Sequence, residues 1–155
     1  MSEREELMRE LRLLSELDST QTALFQQSAA AHYGLGVTDM KALSILLRDG
    51  PQSAGQLMSA LHLTSGAVTG VIDRLVAASV ARRESDPADG RKVIVTVDLA
   101  GLAARENVYL PIGDAFDELY AEYTVEQLRF LAAHLLRSVE ITREQTDALH
   151  RGSDG

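Results

Sequence analysis

The hydrophobic period of the sequence changes at Val80, and this change constrains the fold more than any other feature. Before it, in residues 64–79, apolar side chains recur at helical spacing. After it, in residues 91–97, valine occupies every second position from Val93, which is typical of a strand. A partner strand is predicted at 81–85, and the connection between them contains Pro and Asp-Gly, which suit a reversal of direction. The pattern predicts a helix followed directly by a β-hairpin.

A second, shorter helix precedes this segment. Ser53-Ala54-Gly55-Gln56 has the pattern of a capping box, in which Ser and Gln side chains each bond the other's backbone N–H, and it predicts a helix over 53–61. Thr64 is the predicted N-cap of the next helix. Two helices joined by a tight turn form a helix-turn-helix, and with the hairpin they predict a winged helix-turn-helix lobe.

Two further helices are predicted before the helix-turn-helix. Residues 2–32 predict one long amphipathic helix, which Gly34-Leu35-Gly36 ends. Thr38 is the predicted N-cap of a further helix, which Gly50-Pro51 ends.

Two more helices are predicted towards the C-terminus. The first runs from Leu99 to Glu122, after a cap at Asp98, and Pro111 is expected to kink it. The second begins with a capping box at Thr124 and ends near His150, before a frayed tail at residues 152–155. The predicted fold class is mainly α with a small β-hairpin wing.

Length fits a single domain, since 155 residues with 45% hydrophobic content can bury one core but hardly two. We divide this domain, residues 1–155, into an N-terminal helix (1–34), the winged helix-turn-helix lobe (35–98) and the C-terminal helices (99–155).

Composition narrows the function classes. The chain has no Cys, which excludes disulfides, thiolate metal sites and thiol redox sensing. The four histidines match no metal-ligand spacing, and no phosphate loop or nucleophile motif points to an enzyme, so we predict no metal, no cofactor and no catalysis. No apolar run is long enough to span a membrane and no secretory signal is present, so we expect a cytoplasmic protein.

The net charge of −8 is unevenly distributed. Residues 53–97 carry five basic and four acidic side chains, which leaves a net charge of −9 on the rest of the chain. Because salt screens each charge beyond about 8 Å, an acidic protein can still present one locally basic surface to an anion.

The second helix of the helix-turn-helix is the predicted contact with DNA. Small side chains in its first two turns permit close approach, and hydroxyls can bond bases or phosphates. These residues are Thr64, Ser65, Gly66, Ala67 and Thr69. The N-terminus of a helix also favours phosphate. Periodicity alone leaves a second interpretation open, in which these residues only cap and pack the helix.

Four cations cluster in the hairpin. Arg82 and Arg83 enter it, and Arg91 and Lys92 follow its turn. Arg91 is suited to insertion into a minor groove. The alternative is a solvated edge strand whose charges prevent aggregation, and this interpretation competes most strongly for Arg82 and Arg83.

These segments resemble the MarR-type winged-helix transcriptional regulators. The similarity is carried by residues 63–69 (LTSGAVT), 72–75 (IDRL), 80–83 (VARR) and, most specifically, 86–95 (DPADGRKVIV). It covers nearly the whole chain. It implies a homodimeric repressor whose N- and C-terminal dimerisation helices interlock, whose two lobes bind one palindromic operator of double-stranded DNA, and which a small-molecule effector modulates.

The resemblance also implies roles for individual residues. Residues 65–67 and Thr69 form the face for the major groove, and Ser53 and Gln56 contact phosphate. Asp89 orients the wing through a bond to a neighbouring Arg, while Arg91 faces DNA or braces the wing.

Other assignments remain open between two interpretations. Arg74 either contacts the DNA backbone or forms an ion pair with Asp73 or a wing acid, and Asp73 is expected to be structural. Effectors of the family often bind between the dimerisation helices and the lobe. The candidates for that site are Phe25, His32, Tyr33 and Tyr109, which otherwise are ordinary core aromatics.

Three positions depart from the family pattern. Gly70 replaces a common basic residue on the recognition helix, and Ser79 replaces a common Gly at that helix's end. The residues 98–101 (DLAG) only approximate the usual Thr-x-x-Gly entry to the next helix.

Overall fold

The computed structural model describes residues 2–153, which form seven helices and three short strands. In chain order these are α1 (Glu3–His32), α2 (Val37–Asp49), β1 (Gln52–Ser53), α3 (Ala54–Leu61), α4 (Ser65–Ala77), β2 (Ala81–Ser85), β3 (Val93–Val97), α5 (Leu99–Ala103), α6 (Leu110–Ala121) and α7 (Val125–Ser153).

The chain forms two compact units. One ends at Asn107 and contains α1 to α5 with the sheet, and the other begins at Val108 and contains α6 and α7. No helix within residues 2–153 is both long and apolar enough to cross a bilayer.

Local capping interactions explain where several helices begin. The carboxylate of Glu5 accepts hydrogen bonds from the backbone N–H and the hydroxyl of Ser2, which together lower the pKa of Glu5. The predicted helix over residues 2–32 is thereby confirmed as α1. Ser53 and Thr64 cap α3 and α4 as predicted, each accepting a backbone N–H from the first turn.

The prediction for the start of α2 was wrong. The N-cap is Gly36 rather than Thr38, and the carboxylate of Asp39 accepts the N–H of Gly36 at 2.9 Å. Thr38 lies in the first turn with its side chain exposed. The side chain of the third helical residue can therefore accept the N–H of the N-cap residue, even when that residue is a glycine without a side chain of its own.

The predicted helix from Leu99 to Glu122 is two helices, since α5 ends at Ala103 and α6 begins at Leu110. Pro111 lies in the first turn of α6 and kinks nothing. A first turn has no intrahelical acceptor for the N–H that proline lacks, so proline is tolerated there. The last helix continues beyond the predicted end to Ser153, and residues 154–155 of the predicted tail lie outside the described residues.

The predicted hairpin is confirmed, and it belongs to a three-stranded antiparallel sheet of order β1-β3-β2. Ala81 lies opposite Val97, and Ser85 lies opposite Val93. The additional strand β1 pairs Gln52 with Val95. Sequence analysis missed β1 because two residues are too few to show an alternating pattern.

One apolar core fills the first unit, between α2, α3, α4 and the sheet. All four apolar positions predicted for α4 are buried in it, namely Val68, Val71, Ile72 and Leu75. Burying a side chain of this size stabilises a fold by about 1.5–3 kcal/mol. Because a helix cannot bury both faces against one core, the opposite face of α4 lies towards solvent.

A close backbone contact joins the end of α4 to α5. The residue Ser79 adopts a left-handed conformation (φ 58°), and a Cβ atom added to Gly101 would lie 1.7 Å from the Ser79 carbonyl oxygen. Asp98 caps α5 by accepting the N–H of Gly101 at 3.0 Å. Asp98 thus provides the capping oxygen for which the family pattern commonly has Thr. Gly101 is required because the backbone at Ser79 passes too close to leave room for a side chain.

We expect Gly101→Ala to destabilise the protein by at least about 2 kcal/mol, because backbone atoms must separate to admit the methyl group. Urea unfolding followed by circular dichroism measures this change. The matched control is Gly66→Ala, where an added Cβ meets no atom within 4 Å and the expected change is below about 1 kcal/mol. Equal effects of the two substitutions would contradict the contact.

Candidate nucleic-acid interface

The N-terminal half of α4 presents a polar, sterically open surface. Five residues that we call the α4 face are exposed, namely Thr64, Ser65, Gly66, Ala67 and Thr69. The hydroxyl of Thr64 accepts the N–H of Ala67 at 3.3 Å, and that of Thr69 donates to the carbonyl of Ser65 at 2.9 Å. Each hydroxyl retains capacity for a further hydrogen bond. Thr64 thus caps α4, as the second interpretation of the sequence holds, while none of the five residues is buried in the core.

A short turn holds α3 against α4. His62 ends α3 in the left-handed conformation (φ 51°), and the N–H of Leu63 donates to the carbonyl of Met58 at 3.0 Å. The side chain of Leu63 packs against the core. The two helices are thus joined by residues 62–64 alone, which confirms the predicted helix-turn-helix.

The predicted phosphate ligands of α3 bond to each other. The hydroxyl of Ser53 accepts the N–H of Gln56 at 3.1 Å, and the side-chain oxygen of Gln56 accepts the N–H of Ser53 at 2.7 Å. Ala54, Gly55 and Gln56 are exposed. The two side chains therefore build the cap, and the first turn of α3 is open to an anion.

The wing tip, residues 86–92, is ordered by its two aspartates. The carboxylate of Asp86 accepts the N–H of Ala88 at 2.8 Å. The carboxylate of Asp89 accepts the N–H of Arg91 at 3.2 Å, and it lies 3.5 Å from Nε of Arg91 and 4.0 Å from Nζ of Lys92. The expected bond from Asp89 to a neighbouring Arg is thus present. Arg91 is 94% exposed, so its charge is directed to solvent.

The other two cations of the hairpin are paired with acids of the same lobe. Arg82 forms an ion pair with Glu84 on its own strand, and Arg83 forms one with Asp73 of α4. The second pair connects the wing to the recognition helix, which is a structural role for Asp73. These contacts favour the structural interpretation of both arginines.

Arg74 is paired with an acid that the sequence analysis did not consider. Its guanidinium bonds both carboxylate oxygens of Asp39 at 2.8–3.1 Å. Of the two interpretations left open, the ion pair is therefore made with Asp39 instead of Asp73 or a wing acid, and contact with the DNA backbone stays a prediction. Asp39 is fully buried, whereas the side chain of Arg74 is 56% exposed. These hydrogen bonds raise the pKa of Arg74 above its usual range. Asp39 thus caps α2 and anchors α4 at once.

Gly70 makes room for this ion pair. A Cβ atom added to Gly70 would lie 3.2 Å from Nη1 of Arg74, because the guanidinium lies across the turn of α4 that contains Gly70. A glycine at position 70, where the family commonly has a basic residue, therefore leaves the space through which Arg74 reaches Asp39.

A signal for Asp39 exists in the sequence. It shares one helical stripe with Ala42, Leu43 and Leu46, all of which are buried. A carboxylate on an apolar stripe is rarely buried without a partner, so this position predicts an ion pair, although periodicity alone does not identify Arg74 as its partner.

The four candidate effector residues are distributed between the two units. His32 and Tyr33 lie together at the end of α1, with ring centroids 5.7 Å apart. Phe25 lies two turns earlier on α1, and Tyr109 precedes α6 in the second unit. Tyr33 packs against the core of the first unit and donates its hydroxyl to the carbonyl of Glu106 at 2.9 Å.

Metal-ligating side chains do not cluster within residues 2–153. Across the described part of the chain, no three His, Asp or Glu residues are placed to hold one metal ion. His32, His62, His134 and His150 are all exposed.

The chain is similar to several known proteins. A model of the MarR family matches residues 35–93. The HTH-type transcriptional regulator YcgE of Bacillus subtilis is 35% identical over 130 residues, which cover 84% of each chain. The HTH-type transcriptional repressor NicR of Pseudomonas putida is 32% identical over 109 residues, 69% of this chain and 66% of that one. A MarR family protein from Bacillus stearothermophilus shares the fold, with a TM-score of 0.68 and 18% identity over 92% of this chain and 99% of that one.

A winged helix-turn-helix whose second helix and wing tip both lie open to solvent defines a DNA-binding transcriptional regulator. The protein belongs to the MarR family, whose regulators bind DNA and act as dimers. The family and the named relatives are transcriptional regulators rather than enzymes.

We expect Arg74→Met to lower the thermal midpoint, because it leaves the buried carboxylate of Asp39 without its cation. Adding Asp39→Asn removes that charge but keeps an oxygen for the Gly36 N–H, so the double variant should recover part of the loss. Thermal unfolding at one protein concentration measures both. The control is Arg82→Met, whose exposed ion pair contributes about 0–1 kcal/mol. A double variant less stable than Arg74→Met would contradict the buried pair.

Proposed function

We propose that this protein represses transcription by occupying a palindromic operator as a homodimer. Two-fold symmetry places the two copies of α4 in successive major grooves on one side of the duplex, about 34 Å apart. The wing tip of each copy then lies over the flanking minor groove, where Arg91 meets the enhanced negative potential. That the relative NicR is named a repressor supports the direction of the effect.

The observation that carries this proposal is the division of α4 into two faces. Its apolar face is buried in the core, and the α4 face is exposed, with no atom within 4 Å of the position that a Cβ at Gly66 would take. Hydroxyls and a methyl group on such a surface can bond base edges and contact thymine methyl groups. Ser53, Gln56 and Lys92 add contacts to the DNA backbone in this arrangement.

Apolar surface on the terminal helices supports the homodimer. On α1 and α7 the following side chains are each more than half exposed: Leu7, Leu11, Leu14, Leu17, Leu24, Leu135, Leu136 and Val139. On each of the two helices these side chains recur at helical spacing, and an uncovered apolar stripe of this kind marks a protein interface. We therefore assign both helices to dimerisation, and a second copy of the chain is the partner that covers them.

Modulation by a small-molecule effector completes the proposal. An effector changes DNA affinity only if it binds two arrangements of the dimer with different affinities. His32 and Tyr33, at the end of α1, are candidates for such contacts together with Phe25 and Tyr109. We propose that this activity is cytoplasmic, because a transcriptional regulator must share a compartment with its DNA.

We expect Arg91→Ala to weaken operator binding about tenfold, because one cation per wing is lost from the DNA surface. Titration of the protein into a fluorescent duplex from its own upstream region, at several salt concentrations, measures affinity and salt slope together. Each lost phosphate contact reduces the slope of log K against log[salt] by about 0.9. The control is Arg82→Ala, whose side chain is paired with Glu84, and it should bind like the wild type. A protein that binds DNA without salt dependence would contradict the proposal.

We expect Ala67→Glu to abolish operator binding, since it places a carboxylate in the major groove. Ala67→Ser is the matched control, because it adds a small polar group at the same exposed position. Both variants should unfold at the wild-type temperature. Unchanged affinity of the Glu variant would show that α4 is not the helix that enters the groove.

A further inference from the structure

Arg105 joins the ends of two helices that are far apart in sequence. Its side chain is half-buried just beyond α5, where Nη1 donates to the carbonyl of Tyr33 at 3.2 Å and Nη2 donates to the carbonyl of Ala78 at 2.5 Å. Tyr33 is the C-cap of α1, and Ala78 is the C-cap of α4. One guanidinium therefore binds the final carbonyls of a dimerisation helix and of the recognition helix.

Helix C-termini are suited to this cation. The last carbonyls of a helix have no intrahelical donor and carry the negative end of the helix dipole. The planar guanidinium presents several N–H donors in fixed directions, so it can bond two carbonyls at a defined angle, which a flexible ammonium cannot do. Arg105 thus constrains both the distance between the C-termini of α1 and α4 and the angle between the two helices.

The contacts that attach α1 to the lobe lie towards its C-terminal end. Ala29 and Ala30 are buried in its last turn, and Phe25 and Gln26 are half-buried in the turn before. The neighbouring Glu106 adds contacts at the same end, since its carbonyl accepts the Tyr33 hydroxyl and its carboxylate lies 3.6 Å from Nε2 of His32. The direction of α1 relative to the lobe is therefore set over its last two turns, and Arg105 bonds the carbonyl at their end.

We propose that Arg105 is a positioning residue that fixes the angle between α1 and α4, and through it the half-site spacing that the dimer accepts. This inference rests on the proposed function. The 13 residues of α4 span about 20 Å at 1.5 Å per residue. A tilt of about 10° at the pinned C-terminus moves the DNA-facing end by about 3 Å, close to the rise of one base pair.

The test compares two operators with one protein. A palindromic duplex is selected from random sequences by the wild-type protein, and a second duplex carries one inserted base pair between the half-sites. We expect the wild type to bind the second duplex on the order of tenfold or more weakly, because one recognition helix loses base contacts. The ratio of the affinities for the first and the second duplex should be smaller for Arg105→Ala than for the wild type, by about threefold or more. A substitution that is independent of the half-site spacing should change this ratio by roughly twofold at most. The fraction of folded protein cancels in this ratio, because both duplexes are titrated with the same protein preparation.

Two further variants make the result decisive. Arg105→Lys keeps the charge without the planar fork, so its ratio should lie between those of the wild type and Arg105→Ala, and it replaces the Ala variant if that variant does not fold. Arg48→Ala removes an exposed arginine that is paired with Asp49 and bonds neither of the two carbonyls, so its ratio should equal that of the wild type. Salt slopes should match the wild type throughout, because Arg105 contacts no phosphate in this arrangement.

The outcomes separate the two proposals. If both Arg105 variants discriminate between the duplexes as strongly as the wild type, the positioning role is overturned while the proposed function stands. If the wild type selects no palindromic duplex, the proposed function fails first.

Discussion

Burial of one face of α4 is the interaction on which the rest of the lobe depends. Val68, Val71 and Leu75 occupy the centre of the core, against Leu57 of α3 and Val95 of the sheet. Since side chains on a helix repeat every 3.6 residues, fixing these positions inside determines which residues lie outside. The surface that we propose for DNA contact is thus a consequence of core packing.

The two ends of α4 are held in different ways. At its C-terminal end, Ala78 is bonded by Arg105, and Ser79 lies against the backbone at Gly101. In its second half, Arg74 bonds the buried carboxylate of Asp39. At the N-terminal end, Thr64 caps the helix and Val68 packs in the core, while the α4 face stays exposed. This arrangement suits insertion into a groove, because the contacts that hold the helix do not compete with contacts to DNA.

Charge pairing within the lobe explains how an acidic protein presents a basic surface. Arg74, Arg82 and Arg83 each lie beside a carboxylate of the same chain, so their charges are largely compensated locally. Arg91 is nearly fully exposed at the wing tip, with Asp89 shaping the turn beneath it. In the proposed complex, attraction to phosphate is therefore concentrated at the wing tips and at the helix N-termini.

Local patterns in the sequence determined the helices of the lobe, the hairpin, the caps at Ser53 and Thr64, and the buried stripe of α4. The helices and caps depend on neighbours within four positions, and the hairpin is indicated by alternation along one strand and by its turn residues, all of which a single sequence displays directly. The same locality explains the errors, since helical spacing continued across the break between Ala103 and Leu110 and could not show it. Only the tertiary structure decided the partner of Arg74, the third strand and the bridge made by Arg105. Asp39 and Arg74 are separated by 35 positions, and such contacts exist only once packing brings distant helices to a fixed distance and angle.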